Sequence, residues 1–177
     1  MSTRSTKTKD EPADEPTEEK TKGTPEGKAT MQRAKFVTQA RWGIGKDEIT
    51  YEMRRPISEL VADKPSTPIA TDAAGYLILA AKWAGLDDPS GNEFNGEGTS
   101  GNMLNTLEQI SLPELEPGDL VVFGGGSEGN AVGVLSENDK GTWKVITHGE
   151  GGPVERPLAE EAAEQPEPET YLRLVSA

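Results

Sequence analysis

The sequence predicts an α+β fold in which N-terminal helices pack on a small antiparallel sheet, preceded by a disordered charged arm. Three observations predict it. Apolar residues recur at helical spacing between Met31 and Ile110, and short apolar runs bounded by turn residues follow from Leu120 onward. The first thirty residues carry almost nothing apolar: Met1, Ala13 and Ala29 stand against six basic and seven acidic residues. Such a segment cannot bury enough apolar area to offset the entropy of ordering. Residues 1–30 therefore read as an arm, either a solvated tail or a strap that orders on a partner. Residues 31–177 read as one domain.

The elements follow in order. Met31, Ala34, Val37 and Ala40 share helical spacing, with Phe36 and Trp42 widening the apolar face until Gly43 and Gly45 stop it. Tyr51 to Leu60 is a mixed stretch, and Pro65 and Pro68 impose an extended connection. Thr71 or Asp72 caps a helix from Ala73 to Ala84, with Gly85 as its stop. That helix is apolar almost all round, so it should be the central buried one, with Lys82, its one charge, reaching solvent. After a Gly/Asn/Asp-rich loop from Asp87 to Thr99, Ser100 caps a third helix carrying Met103, Leu104, Leu107 and Ile110.

Beyond Pro113 the period changes. Glu116 to Asp119 is a turn into the strand Leu120–Phe123, and Gly124 to Asn130 is a loop before the strand Ala131–Leu135. Asn138 to Gly141 forms a hairpin turn before Trp143–Thr147. A Pro/Glu-rich connector, Glu160 to Thr170, leads to a last strand, Tyr171–Val175. Trp42, Trp83 and Trp143 read as core residues.

Composition excludes several functions. With 18 Lys+Arg against 31 Asp+Glu the net charge is -13, which repels a phosphate backbone and argues against nucleic-acid binding. No apolar run approaches the roughly 18–20 residues of a membrane span. The N-terminus lacks the apolar stretch of a secretory signal, which predicts a protein made and kept in a cytoplasm or released by lysis. The cysteine count of 0 removes disulfides, thiolate metal sites and a cysteine nucleophile. One histidine, His148, makes a conventional zinc site improbable, and no cofactor is expected. Asp87, Asp88, Asn92 and Glu93 offer oxygen ligands, but their spacing departs from the calcium-loop pattern and reads as a solvated loop. Gly124-Gly125-Gly126 follows a strand without a Lys-Ser/Thr helix behind it, so it reads as a hairpin loop rather than a phosphate cradle.

The run Thr71-Asp72-Ala73-Ala74-Gly75 at the start of the buried helix, the turn and strand Pro117-Gly118-Asp119-Leu120-Val121, and Ala131-Val132-Gly133-Val134 occur in that order. Together they resemble the NlpC-type branch of the papain-like cysteine peptidases, which cut peptide bonds in bacterial cell walls. The resemblance implies a papain-like fold. It also implies that the nucleophilic cysteine of Thr/Ser-Asp-Cys-Ser-Gly corresponds to Ala73, and the histidine of His-Val-Gly-Ile to Ala131. Thr147-His148-Gly149 falls where the family carries a third polar residue that orients its histidine. Trp42-Gly43, Tyr51 and the loop Asn95 to Gly98 also look like the small versions encoded by phages of actinobacteria.

The departures set the functional expectation. The family's chemistry needs a thiolate and a histidine to activate it, and loss of a nucleophile alone costs on the order of 10⁶ in turnover. Thr71 and Ser100 are poor substitutes, one preceding the helix and the other in a different segment. The sites at Ala73, Ala131 and His148 are then vestigial and the chain is not an enzyme. His148 reads as a relic of the triad, a ligand-binding group, or a buried polar residue satisfied by a neighbour. The first functional expectation is a non-enzymatic virion protein of a bacteriophage (capsid, decoration or tail), assembled in the host cytoplasm. Its partners would be other virion proteins, met through the arm and the domain surface, with a homo-oligomer also possible. The alternative is a pseudoenzyme that binds cell-wall peptides or regulates a lysin.

Overall fold

The structure, a computed structural model, describes residues 23–125 and 130–176. Residues 1–22 of the expected arm lie outside the described residues. Helix α1 (Pro25–Trp42) starts within the stretch assigned to the arm. Thr24 caps it by accepting from the Gly27 N–H at 3.1 Å, and Pro25 stands at the first helical position, where no N–H is needed. The buried stripe runs Ala29, Arg33, Phe36, Val37, Ala40, so Met31 and Ala34 are exposed, contrary to the periodicity reading. Arg33 is the reason. Its guanidinium is buried because it donates to the Val175 carbonyl at 3.0 Å and pairs with Glu116 at 2.9 Å, taking a place on the face that apolarity assigned to its neighbours.

Strands β1 (Ile49–Tyr51) and β2 (Ile69–Thr71) form a parallel pair. At three residues each they show no alternation that sequence reading can detect. Helix α2 (Ala73–Trp83) is the central helix, and the nine residues from Ala73 to Ala81 are all buried. Asp72 rather than Thr71 caps it: Oδ1 accepts from the Gly75 N–H at 2.8 Å, while Thr71 ends β2. Lys82 is half-buried and donates to the Leu60 carbonyl instead of reaching solvent. The Tyr76 hydroxyl donates to the Ala40 carbonyl at 2.5 Å and accepts from the Gly43 N–H at 3.1 Å, fastening α2 to the end of α1. A methyl group at Gly43 would lie 2.3 Å from that hydroxyl, so only glycine fits. Trp42 and Trp83 meet edge to face at 5.8 Å where the two helices end, half-buried rather than central.

Helix α3 (Ser100–Thr106) is capped by Thr99, one residue earlier than expected, in a reciprocal box with Asn102. Met103 is its fully buried anchor. Leu107 and Ile110 leave the helix, and β3 (Glu108–Ile110) takes an edge of the main sheet. The other strands are β4 (Leu120–Phe123), β5 (Ala131–Asp139), β6 (Thr142–Gly149), β7 (Gly152–Pro157) and β8 (Glu169–Arg173). All pair antiparallel in the order β3-β8-β4-β5-β6-β7.

Both faces of this sheet are covered. Leu120, Val122, Val132, Val134, Ile146 and Leu172 pack under α1 and α2, and Val121, Phe123, Leu135, Val145 and Tyr171 form a second cluster with Leu115 and Leu158. This is why β4 and β5 read as near-continuous apolar runs rather than alternating ones. Leu158 belongs to helix α4 (Leu158–Glu164), which occupies part of the segment read as a connector.

Within the Pro-Gly-Asp turn, Gly118 has φ +94 and Asp119 is fully buried. Asp119 accepts from the Glu116 N–H at 2.7 Å and pairs with Arg173 at 2.8 Å. That motif therefore holds the sheet to the turn before it.

Candidate functional site

Ala73 opens α2, Ala131 opens β5 and His148 lies near the end of β6. The fold brings all three to one cavity of about 440 Å³, well inside the usual range for ligand pockets. Tyr51 and Thr147 contribute to its wall, and the turn Glu150–Gly151, β7 and helix α4 complete it through Glu150, Arg156, Glu161 and Glu164.

The chemistry of the wall follows from its hydrogen bonds. His148 is almost completely buried, and its Nε2 lies 2.8 Å from the Thr71 carbonyl and 3.1 Å from the Thr50 carbonyl. Both partners are acceptors, so Nε2 carries the proton, and the buried Nδ1 has no hydrogen-bond partner among the described residues. Burial pushes the imidazole pKa down, against the carbonyls of Thr50 and Thr71 and the Asp72 carboxylate, which act the other way. The ring sits between Tyr51 at 5.6 Å and Tyr76 at 5.4 Å. Burial raises the Tyr76 phenol to about 12, partly offset by the Gly43 N–H. Tyr51 is also raised, first by burial and then by the carboxylates of Asp72 and Glu150.

Among the described residues, no thiol or hydroxyl of this arrangement is paired with a base. Ala73 and Ala131 present methyl groups. Thr147 Oγ1 donates to the Val132 carbonyl at 3.0 Å. Thr71 meets His148 through its backbone carbonyl, and its hydroxyl has no hydrogen-bond partner among the described residues to activate it. Ser100 is buried at the start of α3. The N-terminus of α2 is already occupied by Asp72, whose carboxylate is held by both oxygens on Arg55 at 3.1 Å.

The loop from Asp87 holds no cation cage. Both oxygens of Asp88 are used inside the loop, by the Ser90 N–H and hydroxyl and by the Phe94 N–H. Among the described residues no group of three His, Cys, Asp or Glu side chains is placed to hold a metal. No helix of the described residues is long and apolar enough to cross a membrane.

Sequence reading named Ala73, Ala131 and His148 but missed the contribution of β7 and α4. A signal was present: Leu158 to Glu164 is built of Leu, Ala and Glu, the strongest helix formers, and was hidden by the prolines on either side.

The chain resembles solved structures in fold. It superimposes on the peptidoglycan hydrolase RipB from Mycobacterium tuberculosis with a TM-score of 0.56 and 16% identity, covering 93% of this chain and 75% of that one. The fold is that of the NlpC/P60 peptidases. NlpC1 from Trichomonas vaginalis gives a TM-score of 0.54 at 14% identity, covering 82% of this chain and 45% of that protein. No family model and no curated protein sequence matches. At these identities the likeness establishes the papain-like α+β fold, and the sequence establishes the departure from it. With no cysteine, this NlpC/P60-like chain is not a cysteine peptidase.

Proposed function

We propose that the chain is a non-enzymatic structural component of a bacteriophage virion, built on an inactivated cell-wall peptidase fold. The observation that carries this reading is a fold kept whole around a cavity whose nucleophile-bearing helix start is a methyl group, Ala73. Conservation of architecture without its chemistry suits re-use as an assembly module. The charged, Pro-rich sequence of residues 1–22 supports the same reading, since a segment of that composition can exchange ordering entropy for many weak contacts on a neighbour. The net charge of -13 suits a position away from packaged DNA.

The test is quantitative mass spectrometry of purified particles. Many copies per particle indicate a shell or decoration protein and a handful a tail or neck protein; absence from particles rejects the reading. A second reading, a pseudoenzyme that binds cell-wall peptides, is favoured by the cavity remaining open at about 440 Å³. Retention of the pure protein on peptidoglycan, without release of soluble fragments, would support it.

A further inference from the structure

His148 stands where three segments remote in sequence meet. It is 3% exposed, and its Nε2–H is shared between the Thr50 carbonyl of β1 at 3.1 Å and the Thr71 carbonyl of β2 at 2.8 Å. One ring thus joins both strands of the small parallel pair to β6 of the main sheet. Tyr51 of β1 lies 5.6 Å from the ring and Tyr76 of α2 lies 5.4 Å from it. The carbonyls of Thr50, Thr71 and Gly152 and the Asp72 carboxylate favour a charged imidazole, but burial outweighs them. Asp72 already binds Arg55 through both oxygens. In the adjoining cavity wall Glu150 is exposed, and Arg156 of β7 is held by Glu161 and Glu164 of α4.

The two tyrosines differ in how firmly they are held. Tyr76 is fully buried and tied through its hydroxyl to Ala40 and Gly43. Tyr51 is 38% exposed, on a three-residue strand whose sheet partner is equally short. β2 runs directly into the core helix α2, so β1 is the side that can yield. Space adjoins it at Tyr51, in the cavity of about 440 Å³, and at Ile49 and Thr50, in a second of about 260 Å³. We propose that His148 is an acid-released latch: uncharged, it holds β1 and Tyr51 against the cavity, and on taking a proton from solvent it lets that strand swing off. With β1 gone the ring meets water and regains a pKa near the ordinary value of about 6.5. Proton uptake therefore favours the released state as pH falls below about 6.5, by up to about tenfold per pH unit, the limit for one proton. Release takes Tyr51 out of the wall and widens the cavity beside Ala73. The latch depends on neither functional reading above.

Two amides span the β1–β2 seam: Glu52 donates to the Thr71 carbonyl and Ile69 to the Glu48 carbonyl, each at 3.0 Å. Their hydrogen exchange in the full-length protein, corrected for its intrinsic pH dependence, is followed by NMR beside the α2 amides of Leu77 to Ala81. His148 is the sole histidine, so its ring signals titrate without overlap in the same samples. Between about pH 7.5 and about pH 5 the seam amides are expected to lose protection at least fivefold relative to α2, with the midpoint of the ring titration. In His148→Gln the seam is expected to exchange alike at both pH values. Seam protection that stays constant while the ring takes up its proton would overturn the proposal, as would an equal pH response in His148→Gln. So would α2 amides that lose protection in step, or a ring still uncharged when α2 unfolds. The shared midpoint is read from the parent protein, so the test stands even if His148→Gln does not fold.

Discussion

Under α2, the sheet residues Val132, Val134, Ile146 and Leu172 join Leu77 and its neighbours in one continuous apolar cluster. On the opposite face α4 contributes Leu158 to a smaller cluster and, alongside it, the ion pair of Arg156 with the buried Glu161. The difference lies in what each contact costs to make. Apolar burial stabilises in proportion to area, at about 25 cal/mol per Å². A buried ion pair gives back most of its Coulombic gain as desolvation. The α2 face therefore holds the fold, and the α4 face supplies a polar wall to the cavity at little gain in stability.

The largest expected effect breaks the first face. Leu77→Asp places an unpaired carboxylate at a fully buried position, costing several kcal/mol against the roughly 5–15 kcal/mol of a typical domain. Loss of cooperative thermal unfolding is expected, and a melt near the parent temperature would mean that α2 is not the core helix. Leu158→Ala is the matching change on the second face. It should cost about 2–3 kcal/mol, lower the melting temperature by about 5–10 °C, and leave the fold intact. If it unfolds the protein, the two faces are equally essential and the contrast between them fails.

Asp72→Ala removes the α2 cap and strands Arg55. A loss of about 1–2 kcal/mol is expected in urea denaturation, with an unchanged slope. The smallest effect is a pH dependence. His148 has a folded pKa below its unfolded value of about 6.5, so its contribution is fully present above that pH. It falls as pH drops from about 6.5 toward the lower folded value, because the unfolded chain takes up the proton first. With one histidine in the chain, a midpoint that declines as pH falls below about 6.5 in the parent and stays flat in His148→Gln would assign the slope to this ring.

Much of the first face was legible before any coordinates. An eleven-residue helix with one charge has no face to expose, so Ala73–Trp83 had to be internal. Its capping residue, its stop and the apolar strands of the meander each carry a local cause. Less of the second face was legible. Prolines around α4 and strands as short as β1, β2 and β3 hide their periodicity, and the burial of Arg33 and Lys82 depends on carbonyls at Val175 and Leu60 that are remote in sequence.

The sequence by itself determined that helices precede the main run of strands, the absence of a thiol nucleophile and, through the family resemblance, the candidates Ala73, Ala131 and His148. The first two are properties of single residues or of spacing along one element, and the candidates are what the resemblance to the NlpC-type family implies. Only the tertiary structure decided that the three share a cavity and that His148 keeps its proton on Nε2. It also decided that Glu150, Glu161 and Glu164 form the facing wall. Those facts depend on which carbonyls and carboxylates distant segments bring within hydrogen-bond range, and no local pattern encodes a distance between segments that meet only when the chain folds.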